Sequence, residues 1–126
     1  MKRKILVVDD ELSIRMLLDN FLSDDYEVIT KENGYEAMTW LQDGNQADLL
    51  LVDINMPMLN GYEFTESVRK FKGMSDIPVL MLSAKQKSAD RIRSFAAGAD
   101  DFIQKPFNPE ELIIRIKAAF RRSKAA

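Results

Sequence analysis

The 126-residue sequence contains no cysteine and no histidine. Without cysteine there is no disulfide scaffold, no thiolate zinc site and no thiol nucleophile. Without histidine there is no Ser-His-Asp triad, no imidazole metal ligand and no phosphohistidine. Any chemistry must therefore use carboxylates, hydroxyls, amines and backbone groups. A strong charge of one sign is also missing. Eighteen Lys and Arg stand against 20 Asp and Glu, a net charge of −2, and direct nucleic-acid binding by this chain is not expected from that balance. Long apolar runs are absent as well. Nothing approaches the ~18 residues of a membrane span. After Lys2-Arg3-Lys4 only Ile5–Val8 precede Asp9-Asp10, too short a run for a signal-peptide core. The expectation is a soluble cytoplasmic protein without membrane contact, with one domain around one core.

The charge that is present is unevenly spread. Residues 102–126 hold Lys105, Arg115, Lys117, Arg121, Arg122 and Lys124 against Glu110 and Glu111, a net of +4, which leaves −6 on the first 101 residues. Cations at the carboxyl end of a helix are the ordinary source of such a tail.

Short apolar runs alternate with longer segments of helical period. Ile5–Val8, Tyr26–Ile29, Leu49–Val52, Val79–Leu82 and Phe102–Ile103 are the expected strands. Three of them are continuously apolar, as suits strands covered on both faces of a parallel sheet. Ile14, Leu17, Leu18, Phe21 and Leu22 mark a first helix face; Ala37, Trp40 and Leu41 a second; Phe64, Val68 and Phe71 a third. Ile92, Phe95, Ala96 and Ala99 mark a fourth, and Leu112, Ile113, Ile116, Ala119 and Phe120 a fifth. Spacings of three and four place each set on one side of a helix. Asn108-Pro109-Glu110-Glu111 is a helix start, with an Asn cap, Pro at the first helical position and acids near the positive dipole end. Gly98 can close the fourth helix, and Asn33-Gly34, Asn60-Gly61 and Gly73 read as turns. Five strand–helix units imply right-handed crossovers and a three-layer α/β sandwich. Two strand orders are common for such sheets. One, 2-1-3-4-5, has its switch point between strands 1 and 3.

Polar residues gather where the strands end. Asp9, Asp10 and Glu11 follow the first strand, Asp53 and Asn55 the third, Ser83 the fourth and Lys105 the fifth. In a parallel sheet all of these lie at the carboxyl edge, where ligands bind beside the switch point. With the order 2-1-3-4-5, Asp9, Asp10 and Asp53 converge, and Ser83 and Lys105 flank them. Close carboxylates stay ionised only with a cation among them. All-oxygen ligation favours a hard ion, Mg²⁺ or Mn²⁺. A carboxylate beside such an ion and a lysine can attack an activated phosphoryl group and form an acyl phosphate. Taken singly each residue has an ordinary reading: a helix cap for Asp9-Asp10-Glu11, a turn acid before Pro57 for Asp53, a surface loop for Lys105-Pro106. Their joint placement carries the signal.

Four segments give the chain its family resemblance: residues 4–10 (KILVVDD), residues 51–57 (LVDINMP) with Gly61, residues 82–84 (LSA) and residues 98–107 (GADDFIQKPF). Together they resemble the receiver domain of bacterial two-component response regulators, a flavodoxin-like (βα)5 fold, over essentially the whole chain. The resemblance implies a phosphorelay role in which Asp53 accepts a phosphoryl group from a sensor histidine kinase. It implies that Asp10, Asp53 and the Asn55 carbonyl hold Mg²⁺, with Asp9 acting mainly through water, and that Ser83 and Lys105 contact the phosphoryl group. Phe102 occupies the aromatic switch position, expected to turn inward as Ser83 is drawn toward the phosphoryl group. The Lys105-Pro106 bond matches one that is cis in the family, and Asn55 and Lys85 lie where the family tunes phosphoryl lifetime. Such a domain catalyses only its own phosphoryl transfer and hydrolysis and is not otherwise an enzyme.

Arg91, Asp101, Glu111 and Arg115 resemble charges that pair across a symmetric helix 4–strand 5–helix 5 homodimer in the winged-helix, OmpR-like subfamily. Residues 1–122 are then the receiver and 123–126 the start of a linker or a tail, with output through a DNA-binding domain not in this chain. The alternative is a stand-alone receiver acting by protein–protein contact. A haloacid-dehalogenase-type phosphatase would need Asp-x-Asp where Asp53-Ile-Asn55 stands. A flavin-binding carrier would need a Ser/Thr/Gly-rich loop where Asp9-Asp10-Glu11 stand. A degenerate receiver would lack one of the acids or the lysine, and none is missing.

Overall fold

The five apolar runs are strands of one parallel sheet in the computed structural model, which describes residues 2–84 and 88–125. They are β1 (Lys4–Val8), β2 (Glu27–Lys31), β3 (Leu49–Asp53), β4 (Val79–Ser83) and β5 (Asp101–Gln104). Helices α1 (Leu12–Leu22), α2 (Gly34–Gln42), α3 (Gly61–Lys70), α4 (Ser88–Ala97) and α5 (Pro109–Ala125) alternate with them. The sheet order is β2-β1-β3-β4-β5, and every adjacent pair is parallel.

The two-sided burial inferred from the apolar runs has a direct structural cause. Successive strand residues point to opposite faces. Leu6, Val8, Leu50, Val52, Val79 and Met81 join the apolar layer that contains α2 and α3 residues. Ile5, Val7, Leu49, Leu51, Leu80 and Leu82 join the layer under α1 and α5. Both sets are fully buried, so these strands have no polar alternation.

Several local expectations are corrected. Strand β2 begins at Glu27 rather than Tyr26, and Tyr26 packs its ring 5.8 Å from Phe120. Asn33-Gly34 and Asn60-Gly61 are helix starts, not turns. The Asn33 and Asn60 side chains accept from the N–H groups of Glu36 and Glu63, and Glu63 closes a capping box at α3. The outward side of the α1 stripe includes Leu17, half exposed, and Phe71 is also exposed.

The largest departure is α4. Ile92 is 68% and Phe95 49% exposed, whereas Ser94 is fully buried. The buried side of α4 is Asp90, Ser94 and Ala97, and the Ser94 hydroxyl satisfies itself by donating to the Asp90 carbonyl at 2.8 Å. Gly98 ends α4 at φ 112°, and the N–H of Ala99 donates to Ser94 O at 3.0 Å. Helix α5 begins at the Asn108 cap, whose side chain accepts from Glu110 N at 2.8 Å, and runs unbroken through Ala125. The expected change to linker at 123 is therefore not a change of backbone conformation. Ala126 lies outside the described residues.

Arg69 ties this half of the molecule together. It donates to the carbonyls of Gly98 (2.7 and 3.0 Å), Ser75 (3.1 Å) and Ile77 (2.6 Å) and to Asp100 Oδ2 (3.0 Å). Asp100 in turn accepts from Val79 N at 2.8 Å. One half-buried guanidinium thus joins the end of α3 to the starts of β4 and β5.

Candidate functional site

The site is built by strand register. Val8 pairs with Val52, so Asp9 and Asp53, one residue further on each strand, sit side by side at the carboxyl edge. Asp53 is 3% exposed and Asp9 is fully buried. Carboxylate oxygens of Asp9, Asp10 and Asp53 lie within 4.8 Å of one another. Asp10 is exposed and forms the open side of the pocket. Ser83, buried, ends β4, and the N–H of Lys105, just past β5, donates to its carbonyl at 2.7 Å. The Lys105-Pro106 bond is cis.

Lys105 crosses the sheet edge to the acids. Its Nζ is 2.7 Å from Asp9 Oδ2, 3.4 Å from Asp53 Oδ1 and 3.8 Å from Glu11 Oε1. Asp9 is engaged at both oxygens, because Oδ1 accepts from Glu11 N at 2.9 Å. Asp9 is thus tied to Lys105 and its own loop, and the Glu11 side chain makes no cap hydrogen bond to α1. Arg15 donates to the Asp9 carbonyl at 2.7 Å and fixes the same turn.

The electrostatics follow from burial. The Asp53 carboxyl is pushed up from 3.8 to about 7 by desolvation, then by the charge of Asp9 and a hydrogen bond with Asp10. Lys105 and the N–H of Asn55, 3.4 Å from Asp53 Oδ1, pull the other way. Burial also opposes the Lys105 ammonium, but Asp9 and Asp53 outweigh it and its pKa is raised. Three crowded carboxyls with one ammonium leave an oxygen-lined pocket short of positive charge. A hard divalent cation fits that deficit.

Gly61 lets α3 approach this site. Its N–H donates to Ile54 O at 2.9 Å, and a Cβ there would lie 2.5 Å from the Asp53 carbonyl oxygen and 2.8 Å from Ile54 Cα.

The remaining expected residues are placed as follows. Asn55 is exposed beside Asp53, and Phe102 is buried at 8% exposure within the α2–α3 layer. Phe102 is thus already inward in this structure. Lys85 lies outside the described residues. Asp101, Glu111 and Arg115, expected to pair between copies, pair within one chain. Arg115 donates to Asp101 at 2.9 and 3.0 Å and to Glu111 at 3.0 Å. Arg91 is exposed and has no ion pair among the described residues. Sequence reasoning missed Arg15, Arg69 and Arg93; the carbonyls and the ring that they meet are assembled only by the fold.

A doubly wound parallel domain with clustered acids and a lysine at its switch point fits the receiver class that the sequence resembles. Comparison with known proteins agrees. The family described as response regulator receiver domain matches residues 5–117, and the chain belongs to that family. It is 47% identical over 123 residues to the probable transcriptional regulator ycf27 of Cyanophora paradoxa, covering 97% of this chain and 50% of that protein. It is 44% identical over 121 residues to the transcriptional regulatory protein ResD of Bacillus subtilis, covering 95% and 49%. Chemotaxis protein CheY4 of Vibrio cholerae superposes with a TM-score of 0.89 at 35% identity, over 94% of this chain and 99% of that one. The chain spans about half the length of the curated relatives it matches. No helix among the described residues is long and apolar enough to cross a membrane.

Proposed function

We propose that this receiver takes a phosphoryl group on Asp53 from a sensor histidine kinase. The observation that carries the reading is the Asp9–Lys105–Asp53 arrangement at the carboxyl edge. An oxygen of Asp53 attacks phosphorus, the phosphorus–nitrogen bond of the donor breaks, and the electron pair leaves with the imidazole. The product is an acyl phosphate. Lys105 is near enough to Asp53 to hold positive charge against the incoming oxygens, and the Ser83 hydroxyl donates to one of them. Asp10, Asp53 and the Asn55 carbonyl would hold Mg²⁺ (or Mn²⁺), with Asp9 behind them, since Lys105 and Glu11 engage its carboxylate. When bound, the ion supplies charge neutralisation at the phosphoryl oxygens. Its presence also lowers the Asp53 pKa and keeps the nucleophile ionised at neutral pH.

The kinase docks on the exposed apolar side of α1, where Leu12, Met16 and Leu17 are 50–62% exposed. Phosphorylation shifts Ser83 and the surface of α4, β5 and α5. Phe102, already inward, locks the shifted arrangement rather than initiating it. That surface forms a homodimer through Arg91, Asp101, Glu111 and Arg115. Output is transcriptional, through a winged-helix domain outside residues 1–122, with 123–126 leading toward it and no nucleic-acid contact by the receiver itself. The names of ycf27 and ResD and their doubled length support this part. The setting is the cytoplasm. A stand-alone receiver is the second reading, favoured by the coverage of nearly the whole CheY4 chain.

Intact-mass measurement tests the central claim. With Mg²⁺ and acetyl phosphate the chain gains one phosphoryl group and Asp53→Asn gains none; equal labelling of the two refutes the assignment.

A further inference from the structure

A concavity of about 510 Å³ lies at the amino edge of the sheet, opposite the edge that carries Asp53. Lys2 and Arg3, beside the start of β1, and Lys117 and Arg121, on the second half of α5, line it. One acid, Asp25, lines it with them. The apolar part of the lining is Tyr26 and Phe120, whose rings are 5.8 Å apart. The volume lies within the range of small-ligand pockets.

Four cations against one acid give this concavity a net charge of +3, in a chain whose net charge is −2. The α5 dipole accounts for cations near its carboxyl end. It does not account for Lys2 and Arg3, which reach the same space from the start of β1. Among the described residues none of the four forms an ion pair. The Arg3 guanidinium is stacked 4.3 Å from the centroid of the Phe120 ring. The Lys2 ammonium donates to the Ser23 carbonyl at 2.9 Å, which leaves its charge unmatched. A stacked guanidinium still presents N–H groups at its edge to an oxyanion. Like charges gathered in one concavity raise the local concentration of anions there.

We propose that this concavity binds an anion carrying two linked phosphate groups, as a nucleoside diphosphate or as inorganic pyrophosphate. Arg3 and Arg121 meet phosphate oxygens through paired N–H groups, and Lys2 and Lys117 act as point charges. Linked phosphates bring several negative charges into one small volume, which a single carboxylate does not. Tyr26 and Asp25 are then left for the nucleoside of a nucleotide, a ring for the base and an acceptor for a hydroxyl. The site shares no residue with the acidic pocket at the other edge, so the inference stands apart from the phosphoacceptor reading.

Isothermal titration of the whole chain tests this, with ADP and pyrophosphate as probes. EDTA is present, so that no metal bridges a probe to the acidic pocket. Each probe is expected to bind once per chain. Combining Lys117→Gln with Arg121→Gln is expected to weaken both at least about fivefold, the scale of two exposed charge contacts. Both side chains are exposed, so the urea midpoint of the double variant should stay at the parent value. Arg121→Lys, which keeps the charge, is expected to retain most of the affinity. Tighter binding of ADP assigns the site to a nucleotide, and equal binding assigns it to the diphosphate alone; either supports the inference. Binding of neither probe overturns it, as does binding that the double variant leaves unchanged. Sulfate bound as tightly as pyrophosphate, or polyglutamate bound more tightly than either probe, overturns it too, because the concavity is then a general basic surface or a peptide site.

Discussion

Replacing Asp53 with Asn should stabilise the metal-free chain, and by more at pH 7.5 than at pH 5. In the fold the Asp53 carboxyl titrates at about 7, against 3.8 for the ordinary group. Below 3.8 both folded and unfolded chains hold the proton. Between 3.8 and 7 the unfolded chain releases it and the folded chain keeps it, so unfolding becomes easier as pH rises. Above 7 the penalty is constant. At about 1.4 kcal/mol per unit, the fold gives up roughly 2 kcal/mol at pH 5 and about 4 kcal/mol at pH 7.5. Asn has no such term. Its steric and hydrogen-bonding differences from Asp are the same at both pH values and cancel in the comparison. The advantage of Asp53→Asn should therefore grow by roughly 2–3 kcal/mol from pH 5 to pH 7.5. The raised Lys105 pKa does not contribute here, because its stabilisation is lost only above the ordinary lysine value of 10.5. Urea unfolding in EDTA measures the difference directly. Adding Mg²⁺ at pH 7.5 should then stabilise the parent more than the variant. An advantage that is flat with pH, or smaller at pH 7.5, would refute the electrostatic account of the pocket.

Arg69→Ala removes hydrogen bonds to three carbonyls and to Asp100 and strands the Gly98 and Ile77 carbonyls in partly buried positions. It should cost about 2–4 kcal/mol in urea unfolding, and a loss under about 0.5 kcal/mol would show that water replaces the guanidinium freely. Gly61→Ala must displace either α3 or the end of β3, since the new Cβ meets backbone at 2.5 and 2.8 Å; acetyl phosphate labelling should slow at least about tenfold even if the chain stays folded, and parent-like labelling would contradict the close approach. With beryllofluoride as a phosphoryl mimic, sedimentation should show a dimer that Arg91→Glu returns to monomer, whereas a parent that stays monomeric removes the proposed interface.

Legibility in the sequence divided along the line between local pattern and assembled contact. Strands β1, β3 and β4 were readable because burial on both faces removes polar residues from them, and no other segment of such a chain has that composition. The acids and Lys105 were readable as a group because a parallel sheet sends every strand end to the same edge. Helix α4 was not. Its apolar residues outline a convincing stripe, but Ser94 is cheap to bury once its hydroxyl bonds to the Asp90 carbonyl, and Ile92 and Phe95 are left facing water. Hydrophobic periodicity ranks side chains by transfer free energy and does not see such an intrahelical hydrogen bond. Arginines were misjudged for a related reason. Arg115 carries charge partners on both β5 and its own helix, so the same four charged positions that suggest a dimer are partly satisfied inside one copy. A dimer built on them would gain little from Arg115 unless Asp101 and Glu111 exchange partners across the interface. Arg91, exposed and without an ion pair among the described residues, is the charge with most to gain from a second copy, which makes it the position where the interface should be most sensitive.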